Sequence, residues 1–340
     1  MMLRTTFTLT LILLFGNNAI ALPTAKITVK AIDEQGDPIE GAEAGLVLEA
    51  PKSSDWGTKT TWVHGVTNGD GLFIGEGETS PYVTLSVDKK GYYGVGGKFT
   101  DFTGTTGILG FRKYKPWNPT IELVLKKIIN PISMYAVKMS AYEKGKKPEI
   151  PILNKFIGFD LVANDWVVPY GLGTHRDFLF KIEVNRANSY QDYDTTMTLR
   201  FSNEGDGILI YEPDNSKGKS QLLFPHHAPV AGYINEFIQR EENAPGVPTA
   251  GHAKKHDNYA NYFFRIRTEL DDKGNVIGGL YGKIRGQIRL HNFALNRKNH
   301  NPFISFNYYL NPNDNDTNIE FDPDKNLFKG VPAGLRVGQP

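Results

Sequence analysis

Histidine and carboxylate side chains in the second half of the chain have the clearest potential for metal chemistry: His226, His227, His252, His256 and Asp257. Neutral imidazole is a strong zinc ligand, and His252 and His256 would face the same side of a helix. However, Ala253 replaces the glutamate that follows the first histidine in zinc-protease helices, and residues 248–251 favour a loop. Adjacent His226 and His227 would point to opposite faces of an extended backbone. The spacing therefore favours surface histidines, and we expect no metal site.

An acidic segment near the C-terminus offers oxygen ligands that suit calcium. Its candidate ligands are Asn313, Asp314, Asn315, Asp316, Asn318, Glu320, Asp322 and Asp324. The order of an EF-hand is not met, because the glycine at its sixth position is missing and Glu320 comes too early. We therefore expect a polar turn between strands, without a bound cation or another cofactor.

Signatures of covalent catalysis and of nucleotide binding are absent from the sequence. The chain contains no cysteine and no Gly-x-Ser-x-Gly motif. The glycine-rich segment 91–97 matches neither the dinucleotide nor the phosphate-loop pattern, and we expect it to give the backbone flexibility between strands. An enzyme is therefore less expected than a binding protein, and a hydrolase with its site between His226 and Asp257 stays the alternative.

Aromatic residues in or beside predicted loops are the remaining candidates for binding. They are Trp56, Trp62, Trp117, Trp166, Tyr92, Tyr93, Tyr170 and Tyr259. Exposed rings stack on sugar faces or anchor protein partners. Large rings are mainly buried in proteins, so packing in a core is the competing interpretation.

Composition and the N-terminal segment indicate an exported bacterial protein. The 340 residues carry 38 Lys plus Arg against 37 Asp plus Glu, so the net charge of +1 gives no field for nucleic acid. Residues 1–21 place Arg4 before an apolar run from about Phe7 to Phe15, and after a polar break the small-x-small pattern Ala19-Ile20-Ala21 predicts a signal peptide cleaved after Ala21. That run is too short to span a bilayer. We expect a periplasmic or secreted protein with no membrane insertion after cleavage.

Residues 25–127 are predicted to form a β-sandwich. Apolar Ile27, Val29 and Ala31 alternate with polar neighbours, as in a half-buried strand. Further strands are predicted at 39–48, 72–74, 82–87 and 121–126, separated by Gly, Asn, Asp and Pro turns.

Three segments of this region carry a resemblance: DEQGDPIEGA at 33–42, GVTNGDGLF at 65–73 and VDKKGYY at 87–93. Together they resemble the carboxypeptidase regulatory-like family, which has a transthyretin-like sandwich fold. The resemblance implies a structural, spacing or binding appendage, and the family has no active site to transfer here. The long stretch from 93 to 119 departs from the compact family pattern.

Residues 153–329 are predicted to form a larger antiparallel β domain, after a connecting segment at 128–152 and before a loose tail at 330–340. Its strands are predicted at 156–161, 166–169, 178–184, 195–201, 207–211, 262–270, 276–290 and 303–310. One short helix is predicted over 228–241, with Val230, Ile234, Phe237 and Ile238 on one face. The phrases IGFDL, DWVVPYG and NYYLNP resemble those of exported bacterial proteins without an assigned function.

The sequence thus predicts an all-β protein of the bacterial envelope with a binding or structural role, its ligand a carbohydrate or another protein. An enzyme would show histidines or carboxylates converging in a pocket. A binding module would show an exposed aromatic patch. A subunit of a larger assembly would show an exposed strand edge that a partner strand can join.

Overall fold

The computed structural model describes residues 22–51, 57–107, 112–139, 149–189, 191–244, 260–291 and 302–340. The predicted signal peptide lies outside them. The fold of the described residues is all-β, as predicted, and its only helices there are short 3-10 turns at Pro323–Lys325 and Ala333–Leu335. No helix among these residues is long and apolar enough to cross a membrane.

The strands follow one another in chain order. The first ten are β1 (Thr24–Ile32), β2 (Glu43–Pro51), β3 (Thr58–Val66), β4 (Leu72–Glu78), β5 (Val83–Asp88), β6 (Tyr92–Tyr93), β7 (Val95–Phe99), β8 (Gly104–Thr106), β9 (Lys113–Lys115) and β10 (Thr120–Val124). The next seven are β11 (Lys126–Lys127), β12 (Tyr135–Lys138), β13 (Ile157–Asp160), β14 (Asp165–Trp166), β15 (Phe178–Ser189), β16 (Asp192–Arg200) and β17 (Gly207–Tyr211). The last seven are β18 (Lys219–Ser220), β19 (Glu236–Asn243), β20 (Asn261–Leu270), β21 (Val276–Ile284), β22 (Arg289–His291), β23 (Phe303–Ser305) and β24 (Asn307–Leu310).

The chain forms two compact units, of which the first contains the residues up to Leu125 together with Lys217–Lys219. In one of its sheets, β1 pairs in parallel with β10 and antiparallel with β4. In the other, whose order is β18, β7, β5, β2, β3, the strands from β7 to β3 are antiparallel to their neighbours in this series. The apolar residues of the predicted alternation on β1 are buried and share one core with β2 and β5; the core includes Ile27, Val29, Leu46, Leu48, Val83 and Leu85.

The turn within residues 65–73, the second of the three segments that carry the family resemblance, positions the start of β4. The Asn68 side chain accepts hydrogen bonds from the backbone N–H of Asp70 at 3.1 Å and of Leu72 at 2.8 Å. Gly71 has a φ of +73°, a conformation that side chains other than glycine rarely adopt. A Cβ atom there would also lie 3.2 Å from the backbone nitrogen of Ile39. The turn chemistry of residues 68–71 thus follows directly from their types.

The second unit contains Lys126–Ser216 and Ser220–Pro340. Its strands form one sheet in the order β12, β24, β21, β20, β17 and another in the order β14, β13, β15, β16, β19. A core rich in aromatic rings includes Phe159, Phe178, Phe180, Phe264 and Phe306. Phe178 makes edge-to-face contacts with Phe180, Phe201 and Phe264, an arrangement that the ring quadrupoles favour.

The helix predicted over residues 228–241 is wrong, because its second half forms strand β19 instead. β19 pairs with β16 over eight residues, from Tyr193 opposite Asn243 to Arg200 opposite Glu236. Phe237 is buried while neighbouring Ile238 is 56% exposed, which is the period of a strand. Backbone hydrogen bonding to β16 therefore overrides the helical spacing of the apolar residues.

Two predicted boundary segments also differ from the structure. The connecting segment 128–152 contributes β12 to the second unit, where it pairs with β24. The tail 330–340 is packed rather than loose, because Leu335 and Val337 are buried in the apolar clusters of the same unit. In both segments a few apolar side chains bury enough surface to order the backbone.

Candidate functional site

The solvent side of the sheet β7, β5, β2, β3 is the best candidate for a binding site. Side chains of a strand alternate between the two faces of a sheet, and directly paired residues share a face. We call the face opposite the core the outer face. By register it contains Thr60, Trp62, His64 and Val66 of β3, Glu43, Gly45, Val47 and Glu49 of β2, Thr84, Ser86 and Asp88 of β5, and Gly96 and Lys98 of β7.

Trp62 is the most prominent side chain of the outer face, since 69% of its surface is exposed. The sequence places it in or beside a loop, which is wrong, because Trp62 lies in the middle of β3. It is paired with Val47, which in turn is paired with Thr84, and Thr84 with Lys98. An exposed indole on a regular strand has a defined position and orientation, which suits it to stack on a flat ligand.

Small residues form a shallow groove beside Trp62, which we call the glycine row. Successive pairs across the four strands join His64 to Gly45, Gly45 to Ser86, and Ser86 to Gly96. Gly45 and Gly96 have no Cβ atom, and the hydroxyl of Ser86 between them lies 3.1 Å from the position that a Cβ of Gly45 would take. The row spans three strand spacings of about 4.8 Å, roughly 14 Å in all, about the length of a short oligosaccharide.

Polar groups on β2, β7 and the start of β5 contact one another on the outer face. The ammonium nitrogen of Lys98 lies 3.8 Å from the ring centroid of Tyr82, which directly precedes β5. The Tyr82 hydroxyl donates a hydrogen bond to the Glu49 carboxylate, and this bond raises the pKa of Tyr82 above its usual value. These contacts hold three polar side chains in place on the outer face, of which Lys98 lies in the row next to the glycine row, while Glu49 lies on the other side of Trp62.

The structure separates the histidines that the sequence suggests as zinc ligands. His226 Nε2 lies 2.8 Å from the backbone oxygen of Lys127, whereas His227 Nδ1 lies 3.1 Å from Thr317 Oγ1. His252, His256 and Asp257 lie outside the described residues. Among the residues that are described, no group of three or more His, Asp or Glu side chains is placed to hold a metal ion.

The acidic segment 313–324 uses its carboxylates to bind its own backbone and that of its neighbours. Asp314 accepts the N–H of Gly279, Asp316 that of Asn318, Glu320 those of Ile129 and Asn130, and Asp322 that of Asp324. The segment therefore forms a hydrogen-bonded turn, the arrangement that Asp and Asn side chains favour in loops. Its oxygen atoms point toward different backbone groups rather than toward one centre.

The other candidate aromatic residues divide between core and surface. Trp166 is only 6% exposed and packs edge-to-face on Phe159 and Phe180, so the hypothesis of a ligand-stacking Trp166 is wrong. Tyr93 is buried and Tyr92 packs against the first core. Trp117 and Tyr170 are partly exposed, at 39% and 44%. Trp56 and Tyr259 lie outside the described residues.

The glycine-rich segment 91–97 does not act mainly as a flexible connection, because Gly96 and Gly97 lie within β7. Gly97 faces the core, where a Cβ would lie 3.4 Å from a methyl group of Leu123. Gly96 faces outward as part of the glycine row. Gly97 thus allows close packing on the core side of the strand, and Gly96 forms part of the groove on the opposite face.

A histidine and a serine form the contact that most resembles a nucleophile with its base. His291 Nε2 lies 2.7 Å from Ser305 Oγ, and the imidazole stacks on Phe303. Burial is the main cause that lowers the pKa of His291 to about 4, and the positive charge of nearby Arg289 adds to this effect. Such a histidine is a weak base, and the imidazolium formed by taking the serine proton would lie near another cation. This pair therefore fits a structural hydrogen bond better than catalysis.

The buried charged side chains of one network in the second unit form hydrogen bonds and ion pairs with one another and with nearby backbone groups. Arg267 binds Asp177 through two hydrogen bonds, of 2.8 and 3.0 Å, and its guanidinium lies 3.5 Å from Asp160. Burial alone would raise the pKa of Asp160, but backbone N–H groups, those of Ala163 and Thr174 foremost, hold it at about 2, below the ordinary 3.8. The network therefore stabilises the fold and engages both Asp160 and Asp177 in contacts with their neighbours.

The low pKa of Asp160 predicts a loss of stability in acid. The ionised form contributes about 2 kcal/mol above pH 4, and this contribution disappears as the pH falls from about 4 toward 2. Urea unfolding should therefore show that Asp160→Asn destabilises the protein at pH 6 and that the difference from wild type narrows toward pH 2.5. A constant difference at both pH values would contradict the assignment.

Comparisons with known proteins identify no family for this chain. No family model matches it, and no curated protein matches its sequence. Among solved structures, it is similar to 3-chlorocatechol 1,2-dioxygenase from Rhodococcus opacus 1CP, with 10% identity, a TM-score of 0.25, and coverage of 33% of this chain but only 63% of the dioxygenase. It is also similar to BcpA, the major pilin subunit of Bacillus cereus, with 11% identity, a TM-score of 0.22, and coverage of 83% and 95%. TM-scores this low carry no argument about function.

Proposed function

We propose that this chain is an exported bacterial envelope protein that binds carbohydrate on the outer face of its first unit. The observation that carries the proposal is Trp62, an exposed indole in the middle of a strand beside the glycine row. Trp62 stacks on a sugar ring, and the ligand chain lies along the groove formed by Gly45, Ser86 and Gly96. In this proposal the first unit is an accessory module of the carboxypeptidase regulatory-like type.

The chemistry of the outer face suits a sugar better than a protein partner. The centres of protein interfaces are apolar and rich in aromatic residues. The outer face that carries the indole also carries hydroxyl groups: Thr60 lies two residues away on the same strand, and Thr84 and Ser86 lie two strands away. Hydroxyl groups both donate and accept hydrogen bonds, as sugar hydroxyls require. One flat apolar ring among many hydroxyls matches the alternation of apolar faces and polar edges on a pyranose.

Export is supported by two features of the sequence. Residues 1–21 have the pattern of a signal peptide, with a cation, a short apolar run and a small-residue cleavage site. The chain also contains no cysteine, so its folding requires no disulfide in an oxidising compartment. Both features fit the periplasm or the exterior of a bacterium, where polysaccharides are abundant ligands.

The test is a glycan array followed by calorimetry on the chain from residue 22 onward. We expect wild type to bind at least one oligosaccharide and Trp62→Ala to weaken that binding about 30-fold or more, since truncating a central tryptophan costs about 2 kcal/mol. Trp117→Ala is the matched control, because Trp117 is exposed but lies outside the groove. Absence of glycan binding by wild type, or equal losses in both variants, would overturn the proposal.

Gly96→Val provides an independent test that fills the groove without touching Trp62. The nearest atom to a new Cβ is the backbone oxygen of Leu85 at 3.4 Å, so the change fits the sheet, and a β-branched residue suits a strand. We expect Gly96→Val to keep the melting temperature of wild type and to lose glycan binding. Unchanged binding in this variant would exclude the glycine row as the binding groove.

A further inference from the structure

Strand β3 presents a long open edge. Within the described residues it pairs with β2 only, and the strand order places it at the end of its sheet. Nine consecutive pairs join the two strands without a bulge, from Glu43 opposite Val66 to Pro51 opposite Thr58. The backbone groups on the far side of β3 therefore form a straight template that another strand can join.

The sequence of β3 contains few of the features by which proteins usually block such an edge. Natural edge strands carry several charges, a proline or a bulge. The segment TKTTWVHGV has one ionised residue, Lys59, and no proline, and it is rich in Thr and Val, which favour strands. Most of its residues are exposed. An edge that is left open in this way is typical of one that pairs with another chain.

A second copy of β3 complements the first when the two run antiparallel about Trp62. In that register Thr58 faces Val66 of the second copy, Lys59 faces Gly65, Thr60 faces His64, and the two Trp62 residues face each other. No ionised side chain faces another, and facing aromatic residues are among the most favourable cross-strand pairs. Because a two-fold axis at Trp62 makes both edges identical, the pairing closes as a dimer rather than a fibre.

We propose that the protein forms a symmetric dimer through antiparallel pairing of two β3 edges, with Trp62 on the two-fold axis. The two sheets then become one continuous sheet, and the outer faces of both copies lie side by side. The surface available to a ligand is doubled, so a long polymer gains from the high effective concentration of the second site. The dimer does not depend on carbohydrate, so an experiment that contradicts the dimer leaves the proposed carbohydrate binding untouched, and the reverse also holds.

The absence of cysteine allows a register-specific test in the otherwise unchanged chain. Facing residues of antiparallel strands have Cα atoms about 4.5–5.5 Å apart, a separation that a disulfide accepts. We expect mild oxidation of an equal mixture of Thr58→Cys and Val66→Cys to give a covalent dimer that contains one copy of each. Either variant alone should remain monomeric on denaturing gels, because like positions lie about eight residues, roughly 27 Å, apart.

A second measurement separates a true dimer from chance collisions. Sedimentation of wild type should show concentration-dependent dimers, and Thr60→Lys combined with His64→Lys should raise the dissociation constant at least tenfold by placing like charges opposite each other across the dimer, while position 60 stays paired with Glu49 within the sheet. The same two substitutions change only exposed positions, so the melting temperature at low concentration should not change. Wild type that sediments as a monomer throughout, or cross-linking of single variants as efficient as that of the mixture, would overturn the proposal.

Discussion

Replacing Arg267 by methionine is expected to lower the free energy of unfolding by about 3–5 kcal/mol. The guanidinium is bound to Asp177 by two hydrogen bonds and lies near Asp160, and the two carboxylate side chains are only 1% and 3% exposed. Without Arg267, both buried carboxylates lose the guanidinium that balances their charge. An uncompensated buried charge is among the most destabilising changes that one substitution produces.

Urea unfolding at pH 7 measures this loss, and two further variants test its cause. Asp177→Asn added to Arg267→Met removes one of the stranded charges, so the double variant should recover part of the loss. Arg200→Met is the matched control, since Arg200 pairs with Glu236 at the surface and the two side chains are 51% and 37% exposed; its loss should stay below about 1 kcal/mol. Similar losses for Arg267→Met and Arg200→Met would show that burial of the network is not decisive.

Replacing Trp166 by alanine is expected to destabilise the protein by about 3–5 kcal/mol without acting on a ligand site. Trp166 packs against Phe159 and Phe180, with ring centroids 5.1 and 6.1 Å away. Its removal leaves a cavity among aromatic rings that are packed in the core. Trp62→Ala, by contrast, removes an exposed side chain and should change the free energy of unfolding by less than about 0.5 kcal/mol.

Thermal and urea unfolding of Trp166→Ala, Trp166→Phe and Trp62→Ala compare these effects directly. Trp166→Phe should cost clearly less than Trp166→Ala, because it keeps an aromatic ring and removes an indole N–H for which the described residues provide no acceptor. A loss for Trp62→Ala as large as that for Trp166→Ala would contradict the assignment of one tryptophan to the surface and the other to the core.

Several strands and turns could be predicted because their signals are local. On β1, Ile27, Val29 and Ala31 alternate with polar residues, and the structure buries all three. The hairpin between β20 and β21 also depends on local residue types, since Gly274 has a φ of +79° and Asp271 accepts backbone N–H groups within its turn. Such features depend on a few neighbouring residues and on backbone conformations that only some residue types adopt.

The candidate site could not be found in this way, because it depends on partners far apart in the chain. The segment 58–66 has no clear alternation, as β3 at the end of its sheet buries little on either side. Residue type alone could not show that Trp62 is exposed and Trp166 is buried. It also could not show that Gly96 lies in a strand rather than in a flexible linker. Only pairing across β2, β5 and β7 aligns Gly45, Ser86 and Gly96 into a row.

Composition, local alternation and turn chemistry by themselves determined the all-β class and the positions of many strands. The tertiary structure decided which apolar residues face solvent and which segments pair. It turned part of the predicted helix into β19, packed Leu335 of the predicted loose tail and placed Trp62 on an open face. The physical reason is that burial and strand pairing are properties of contacts between distant residues, whose energies exceed the small local preferences of each residue type.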